Sequence, residues 1–154
     1  MRFLFAAIIT GALATSANAQ SLVGKWTCKP ERQQSGVPQF TKMNFRPNGR
    51  LLLIGTSSVK LKNESIAMIT YSSRGKWQLD ARNLYQRDFS QTKITGVWTA
   101  PGTRVLPSEK RAMEKSFKNK LAKGFPPTKV EIIDASNVRL SNADGVNLCE
   151  KETR

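Results

Sequence analysis

Two cysteines, Cys28 and Cys149, are the only ones in the chain, and they stand near opposite ends of the segment that remains once an export signal is set aside. The signal is legible in the first residues: Met1-Arg2 is a short positive start, Phe3 to Ala14 is an apolar run broken only by Thr10 and Gly11, and Ala17-Asn18-Ala19 is a small-x-small cleavage site. An exported chain meets an oxidising compartment, where such a pair forms a disulfide. A redox pair would instead be close in sequence as Cys-x-x-Cys, so Cys28–Cys149 is expected to be a structural staple. Closing so long a loop restricts the unfolded chain by about 5 kcal/mol in the chain-entropy description. It also places the first strand beside the last. Neither cysteine directly follows the signal, which gives lipid anchoring no support.

Removing residues 1–19 takes away one basic residue, Arg2, and leaves 24 Lys and Arg against 11 Asp and Glu, a charge of +13 on 135 residues. A chain of that length buries enough surface for one core, so residues 20–154 are expected to form a single domain. The signal's apolar run is far shorter than the roughly 20 residues of a bilayer span, and no later segment approaches it. There is no histidine, which removes the usual general base at neutral pH and the commonest zinc ligand. No metal, no cofactor and no enzymatic activity are expected.

Period-two alternation dominates the chain. Leu22, Gly24, Trp26 and Cys28 share one face of a first strand, and Val23, Lys25, Thr27 and Lys29 the other. A polar loop from Glu31 to Pro38 precedes Phe40–Arg46, which Pro47-Asn48-Gly49 turns into Arg50–Ile54 as an antiparallel hairpin. Ile66–Tyr71 and Gly75–Asp80 are expected as two strands joined by a tight link at Ser72-Ser73-Arg74, with Gly75, Trp77 and Leu79 facing in. Thr92, Ile94, Gly96 and Trp98 are expected to form one face of the next, which Ala100-Pro101-Gly102 ends. The period then changes: Ser108 is the expected N-cap of a helix over about 108–123, with Glu109 in its first turn, an apolar stripe of Met113, Phe117 and Leu121, and Gly124 and Pro126-Pro127 as the stop. Short strands are expected at Val130–Ile133, Val138–Leu140 and Val146–Glu150. Asn63-Glu64-Ser65 matches a glycosylation acceptor, but the Ala-Asn-Ala signal end is of bacterial type, and the triplet is taken as a turn.

Gly-x-Trp occurs three times, as Gly24-Lys25-Trp26, Gly75-Lys76-Trp77 and Gly96-Val97-Trp98, at unequal spacings that exclude a solenoid. Glycine and tryptophan two apart share a strand face, which suits a sheet that bends sharply or closes at one end. Trp26, Trp77 and Trp98 are therefore candidates for a packed core or for the wall of a cavity, with an exposed platform on which sugars or bases stack as the alternative. Leu22-Val23-Gly24-Lys25-Trp26 resembles the opening of lipocalins and avidin-like barrels. Phe45-x-x-Asn48-Gly49, followed by Tyr71-x-x-x-Gly75-Lys76-Trp77-x-Leu79 and Leu84, is similar to the hairpin pattern of small lipocalin-like barrels of the bacterial envelope. The resemblance covers roughly Leu22 to Leu84 and implies an antiparallel meander barrel with Trp26 near a closed end. The fold expected is mainly β, a barrel or strongly curved sheet of roughly eight to ten strands with one amphipathic helix. The resemblance carries no ligand residue across, because one scaffold hosts many functions.

The densest positive region is the helix, where Lys110, Arg111, Lys115, Lys118, Lys120 and Lys123 face only Glu109 and Glu114. These six are the candidate anion contacts, with Arg111, Lys115 and Lys118 opposite the apolar stripe. A lysine-rich helix face often does no more than keep a protein soluble. A charge of +13 on a small domain exceeds that need and attracts polyanions. The expected function is a non-catalytic, exported binding protein, in the periplasm or secreted, that engages lipid headgroups, lipopolysaccharide, an acidic polysaccharide or an acidic protein, with peripheral membrane contact compatible with all of these. The alternatives are a barrel with an apolar ligand cavity lined by the three tryptophans, or an inhibitor of an acidic enzyme. Asp80 and Asp88 could form a catalytic carboxylate pair only if the fold brought them together. Nucleic acid is disfavoured because aromatic residues do not interleave with the basic run.

Overall fold

Strand pairing closes on itself in a computed structural model that describes residues 22–32, 39–61, 64–103 and 105–153. The signal segment, most of the first polar loop and Asn63 of the glycosylation triplet lie outside the described residues. Eight antiparallel strands follow in chain order: β1 Gly24–Pro30, β2 Thr41–Phe45, β3 Arg50–Lys60, β4 Ile66–Asp80, β5 Asn83–Thr99, β6 Thr128–Ile132, β7 Asn137–Asn142 and β8 Gly145–Lys151. Each pairs with its sequence neighbours, and β1 pairs with β8 to complete a barrel. A helix, α1, spans Pro107–Ala122 between β5 and β6. Among the described residues no helix is long and apolar enough to cross a membrane.

Cys28 stands directly opposite Cys149 in the β1–β8 ladder, and the two are joined by a disulfide with Cα atoms 3.9 Å apart. The staple therefore lies inside the closing seam. At the end of that seam Gly24 takes φ +130°, and the Lys151 chain crosses where a Cβ would sit. The ammonium of Lys151 ends 5.3 Å from the centre of the Trp26 ring. Trp26 is buried and donates its indole N–H to the Leu22 carbonyl at 2.8 Å, so the first Gly-x-Trp packs into the core beside the closing seam.

The β2–β3 hairpin forms at Pro47-Asn48-Gly49 as expected, with Gly49 at φ +74° and the Asn48 side chain accepting from the Arg50 N–H at 3.2 Å. The strands beyond it are longer than the expected ones. β3 runs on through the polar stretch to Lys60. The expected link at Ser72-Ser73-Arg74 is mid-strand: Ser73 is buried, and its hydroxyl meets that of Thr92 on β5 at 2.8 Å. A buried polar pair satisfied across two strands reads in sequence as a break. The true turn is Ala81-Arg82, with Ala81 at φ 51°, and it opens a 17-residue β5.

The interior is packed. Trp26, Phe45, Leu51, Leu53, Ile69, Leu84 and Phe89 are almost wholly buried in one cluster, and the Phe45 and Trp77 rings meet edge to face at 5.2 Å. β5 and β6 pair through only two residues, Asn83 and Leu84, and α1 packs on β5 beyond that point. Its stripe holds as expected: Met113 and Leu121 are buried, and Phe117 meets Tyr71 at 4.8 Å. Its start differs. Leu106 is the N-cap with no side-chain hydrogen bond, and Pro107 opens the first turn, a position for which its fixed φ and missing N–H are suited. Ser108 is consequently helical rather than capping.

Burial pushes the Tyr71 phenol up to about 12, and the Thr41 hydrogen bond only partly offsets this. Above pH 10 the unfolded chain loses the phenolic proton while the folded chain keeps it, so stability is full below about pH 10 and falls as pH rises toward 12. The loss should reach roughly 2–3 kcal/mol, and Tyr71→Phe should remove that component from a pH series of urea denaturations. A second test concerns Gly75. A Cβ there would stand 2.6 Å from the Phe89 ring and 2.9 Å from the Arg87 carbonyl, so Gly75→Ala should lower stability by about 1–3 kcal/mol.

Candidate functional site

The outer face of β3, β4 and β5 gathers basic side chains into rows. Register places Arg50 opposite Lys76 and Lys76 opposite Arg87, so three cations stand side by side on neighbouring strands. In the next row Arg74 lies between Leu52 and Gln91. All four cations are exposed. Like charges directly opposite each other on a sheet are destabilising, so the row of Arg50, Lys76 and Arg87 costs the fold something.

Two local devices hold the array. Buried Trp77 donates its indole N–H to the Arg46 carbonyl at 2.9 Å, and its backbone N–H to the Gly49 carbonyl at 2.8 Å. That clamps the β2–β3 turn carrying Arg46 and Arg50 onto β4. On the other side, the pairing jumps from Arg74–Gln91 to Lys76–Arg87, so three residues of β5 stand opposite the single Gly75. The bulge turns Phe89 inward against Phe125, with ring centres 5.5 Å apart. It presents Asp88 at φ 60°, a conformation that costs a non-glycine residue energy and that Asp tolerates better than most. The Asp88 carboxylate then reaches the Lys76 ammonium at 3.0 Å.

Between these devices lies an open groove of about 450 Å³. Arg46, Arg50, Arg74 and Lys76 line it with Ser90 and Gln91, and Asp88 is the only acid on its walls. Among the described residues Arg46, Arg50 and Arg74 form no ion pair. Such a groove can bind anions: guanidinium forks match phosphate and carboxylate oxygens, and the sheet holds them in fixed rows.

The sequence candidates fall elsewhere. Lys110, Arg111, Lys115, Lys118 and Lys120 on α1 and Lys123 at its C-cap are all exposed. Lys115, Lys120 and Lys123 border a shallow depression of about 470 Å³ on the helix surface, and Arg111 and Lys118 do not take part in it. Trp26 and Trp77 are core residues, whereas Trp98 is 66% exposed. A second β5 bulge explains the difference. Tyr71 pairs with Ile94 but Thr70 with Gly96, so Thr95 is extra and the side-chain alternation reverses. Val97 then turns toward the core, while the Trp98 indole lies outside, over Gly96. Asp80 and Asp88 are not paired: Asp80 sits in the ladder opposite Asn83, and Asp88 is bound to Lys76. Among the described residues no three His, Cys, Asp or Glu side chains gather as a metal site.

Consecutive antiparallel strands closed into an eight-stranded barrel are a lipocalin-like architecture. Among solved structures the chain is similar to a lipocalin-like protein from Bacteroides uniformis, at 17% identity and TM-score 0.43, covering 86% of this chain and 99% of that one. It is also similar to an uncharacterized protein from Bacteroides eggerthii, at 20% identity and TM-score 0.43, covering 84% and 98%. A protein from Burkholderia xenovorans solved by NMR aligns at 15% identity and TM-score 0.32, covering 98% and 100%. No protein-family profile and no curated protein matches the chain.

The cost of the cation row can be measured without any ligand. Arg50→Thr keeps a strand-forming side chain and removes one of three opposed charges, so stability should rise by roughly a few tenths of a kcal/mol, and the gain should shrink in high salt. A lower urea midpoint for the variant at low salt would show that the row is not under repulsion.

Proposed function

We propose that this protein is an exported, non-catalytic binding protein of the bacterial envelope, resident in the periplasm, which engages an anionic partner through its basic outer surface. The observation that carries the reading is the opposed row of Arg50, Lys76 and Arg87 beside Arg74. Solubility alone would be served by scattered charges, whereas an anion laid across the row relieves its repulsion. The six cations of α1 supply a second positive surface on the same small barrel. Lipid headgroups, lipopolysaccharide, acidic polysaccharides and acidic protein surfaces all present suitable charge. The disulfide in the closing seam is compatible with an oxidising compartment. The apolar-ligand alternative has less support, because the barrel interior is filled by side chains and Trp98 stands outside it.

Binding driven by charge should be steep in salt. The mature chain, added to vesicles of anionic phospholipid and to an immobilised acidic polysaccharide, should bind at low ionic strength and lose on the order of a thousandfold in affinity between about 50 and 200 mM salt if six or more anionic groups are engaged. Vesicles of zwitterionic lipid should not retain it. Binding that persists unchanged in high salt, or no binding to either anionic surface at low salt, would overturn this reading.

A further inference from the structure

The groove on β3–β5 is more selective than a diffuse positive surface. Its cations are mostly arginines, whose planar forks bind phosphoryl oxygens in bidentate fashion, and they fall into two places. Arg46 and Arg50 on the clamped turn stand with Lys76 at one end. Arg74 stands two residues along β4, on the order of 6–7 Å away, beside the neutral hydrogen-bonding groups of Ser90 and Gln91. Two anionic centres separated by a few ångströms would each find their own cations. The groove, at about 450 Å³, has the size of small-ligand sites. Its one acid, Asp88, holds Lys76 at 3.0 Å from a strained backbone position on the bulge. Any anion that uses Lys76 must compete with that carboxylate, which sets a threshold against weak, singly charged ligands.

We propose that this groove is a binding site for a ligand bearing two neighbouring phosphoryl groups, such as a diphosphate ester. The assignment rests on the anion-binding reading above and names the ligand chemistry and the place. The diphosphate is carried either by a soluble molecule or by a lipid headgroup. Arg50 and Arg74 are the principal contacts, one for each phosphoryl group. Asp88 acts as an internal competitor.

The test uses the folded mature chain, with inorganic pyrophosphate and inorganic phosphate as probes, titrated calorimetrically at matched low ionic strength. Pyrophosphate should bind more tightly than phosphate. The double variant Arg50→Gln/Arg74→Gln should weaken pyrophosphate by roughly tenfold or more, while the charge-matched Lys60→Gln/Lys129→Gln, two exposed positions outside the groove, should leave it unchanged. Asp88→Asn, which tolerates the same backbone conformation, should tighten it. Near-ultraviolet circular dichroism checks that each variant keeps the packing of Trp26 and Trp77. Neutral vesicles doped with a diphosphate-bearing lipid, compared with vesicles doped with phosphatidylglycerol to the same charge, separate the two sources: selective capture by the former supports the lipid headgroup, and binding of pyrophosphate without such capture supports a soluble ligand. Equal affinity for pyrophosphate and phosphate, or a double variant that binds pyrophosphate like the wild type, overturns the assignment. If wild-type chain and double variant then still bind acidic polysaccharide in a salt-dependent way, the broader reading survives that failure; if neither binds, both fall.

Discussion

Everything in this barrel depends on β1 meeting β8. Every other strand pair joins neighbours in sequence, so those ladders form locally, whereas the closing ladder must bring together segments about 120 residues apart. Loop closure over that distance is the costly step, and the Cys28–Cys149 bond is set within that seam. The backbone continues the seam at both ends: the Glu31 N–H meets the Val146 carbonyl at 2.9 Å, and the Glu152 N–H meets the Lys25 carbonyl at 2.8 Å. The β5–β6 seam is the opposite case, with two paired residues. There the gap is closed by side chains rather than by a ladder. The α1 stripe enters the core, and Phe125 hydrogen-bonds back to the Gln86 carbonyl at 3.0 Å while its ring meets Phe89. One seam is held covalently and the other largely by packing.

Bulges on β5 decide which chemistry appears outside. A strand that kept strict alternation from Asn83 to Thr99 could not turn Leu84, Gln86, Phe89, Ile94 and Val97 all toward the interior. Two interruptions, at 88–90 and at Thr95, make that set possible. Their cost is a strained Asp88 and an indole left in solvent. Their consequence is the groove, since the first bulge brings a carboxylate and two neutral polar residues beside the cations of β3 and β4. Gly75 is what allows it: only a residue without a side chain leaves room for the Phe89 ring.

Much of this was legible in the residues. The β1 alternation, the Asn48-Gly49 hairpin, the α1 stripe and the cysteine pairing each rest on short-range pattern or simple counting, and they stand where expected. What was not legible depended on pairing. The expected strand stops at Ile54, before the polar run Gly55–Ser58, and the serines at 72 and 73 read as a link, because their partners on the adjacent strands are unseen in one dimension. Trp98 reads as inward because a bulge is a mismatch between two strands, and one strand alone does not reveal it. The basic groove was missed for the same reason. Arg46, Arg50, Arg74, Lys76 and Arg87 are scattered over some forty residues, whereas the six helix cations are consecutive enough to draw attention. A cross-strand register converts the scattered set into the denser array.

That contrast also bears on which positive surface matters more. Lysines on an exposed helix can splay into solvent and lower their mutual repulsion at almost no cost. Cations opposed on adjacent strands have their Cβ atoms roughly 5 Å apart in the backbone ladder, and Asp88, 3.0 Å from Lys76, offsets only part of the repulsion in the row. Both arrays would speed encounter with a negative partner, since steering depends on total charge. In the sheet array the backbone register sets which cations stand beside one another before a ligand arrives. A protein that used charge only to remain dispersed would gain stability by relaxing the row of Arg50, Lys76 and Arg87. The row itself, the Trp77 hydrogen bonds that clamp the turn carrying Arg46, and Asp88 set against Lys76 all converge on one groove.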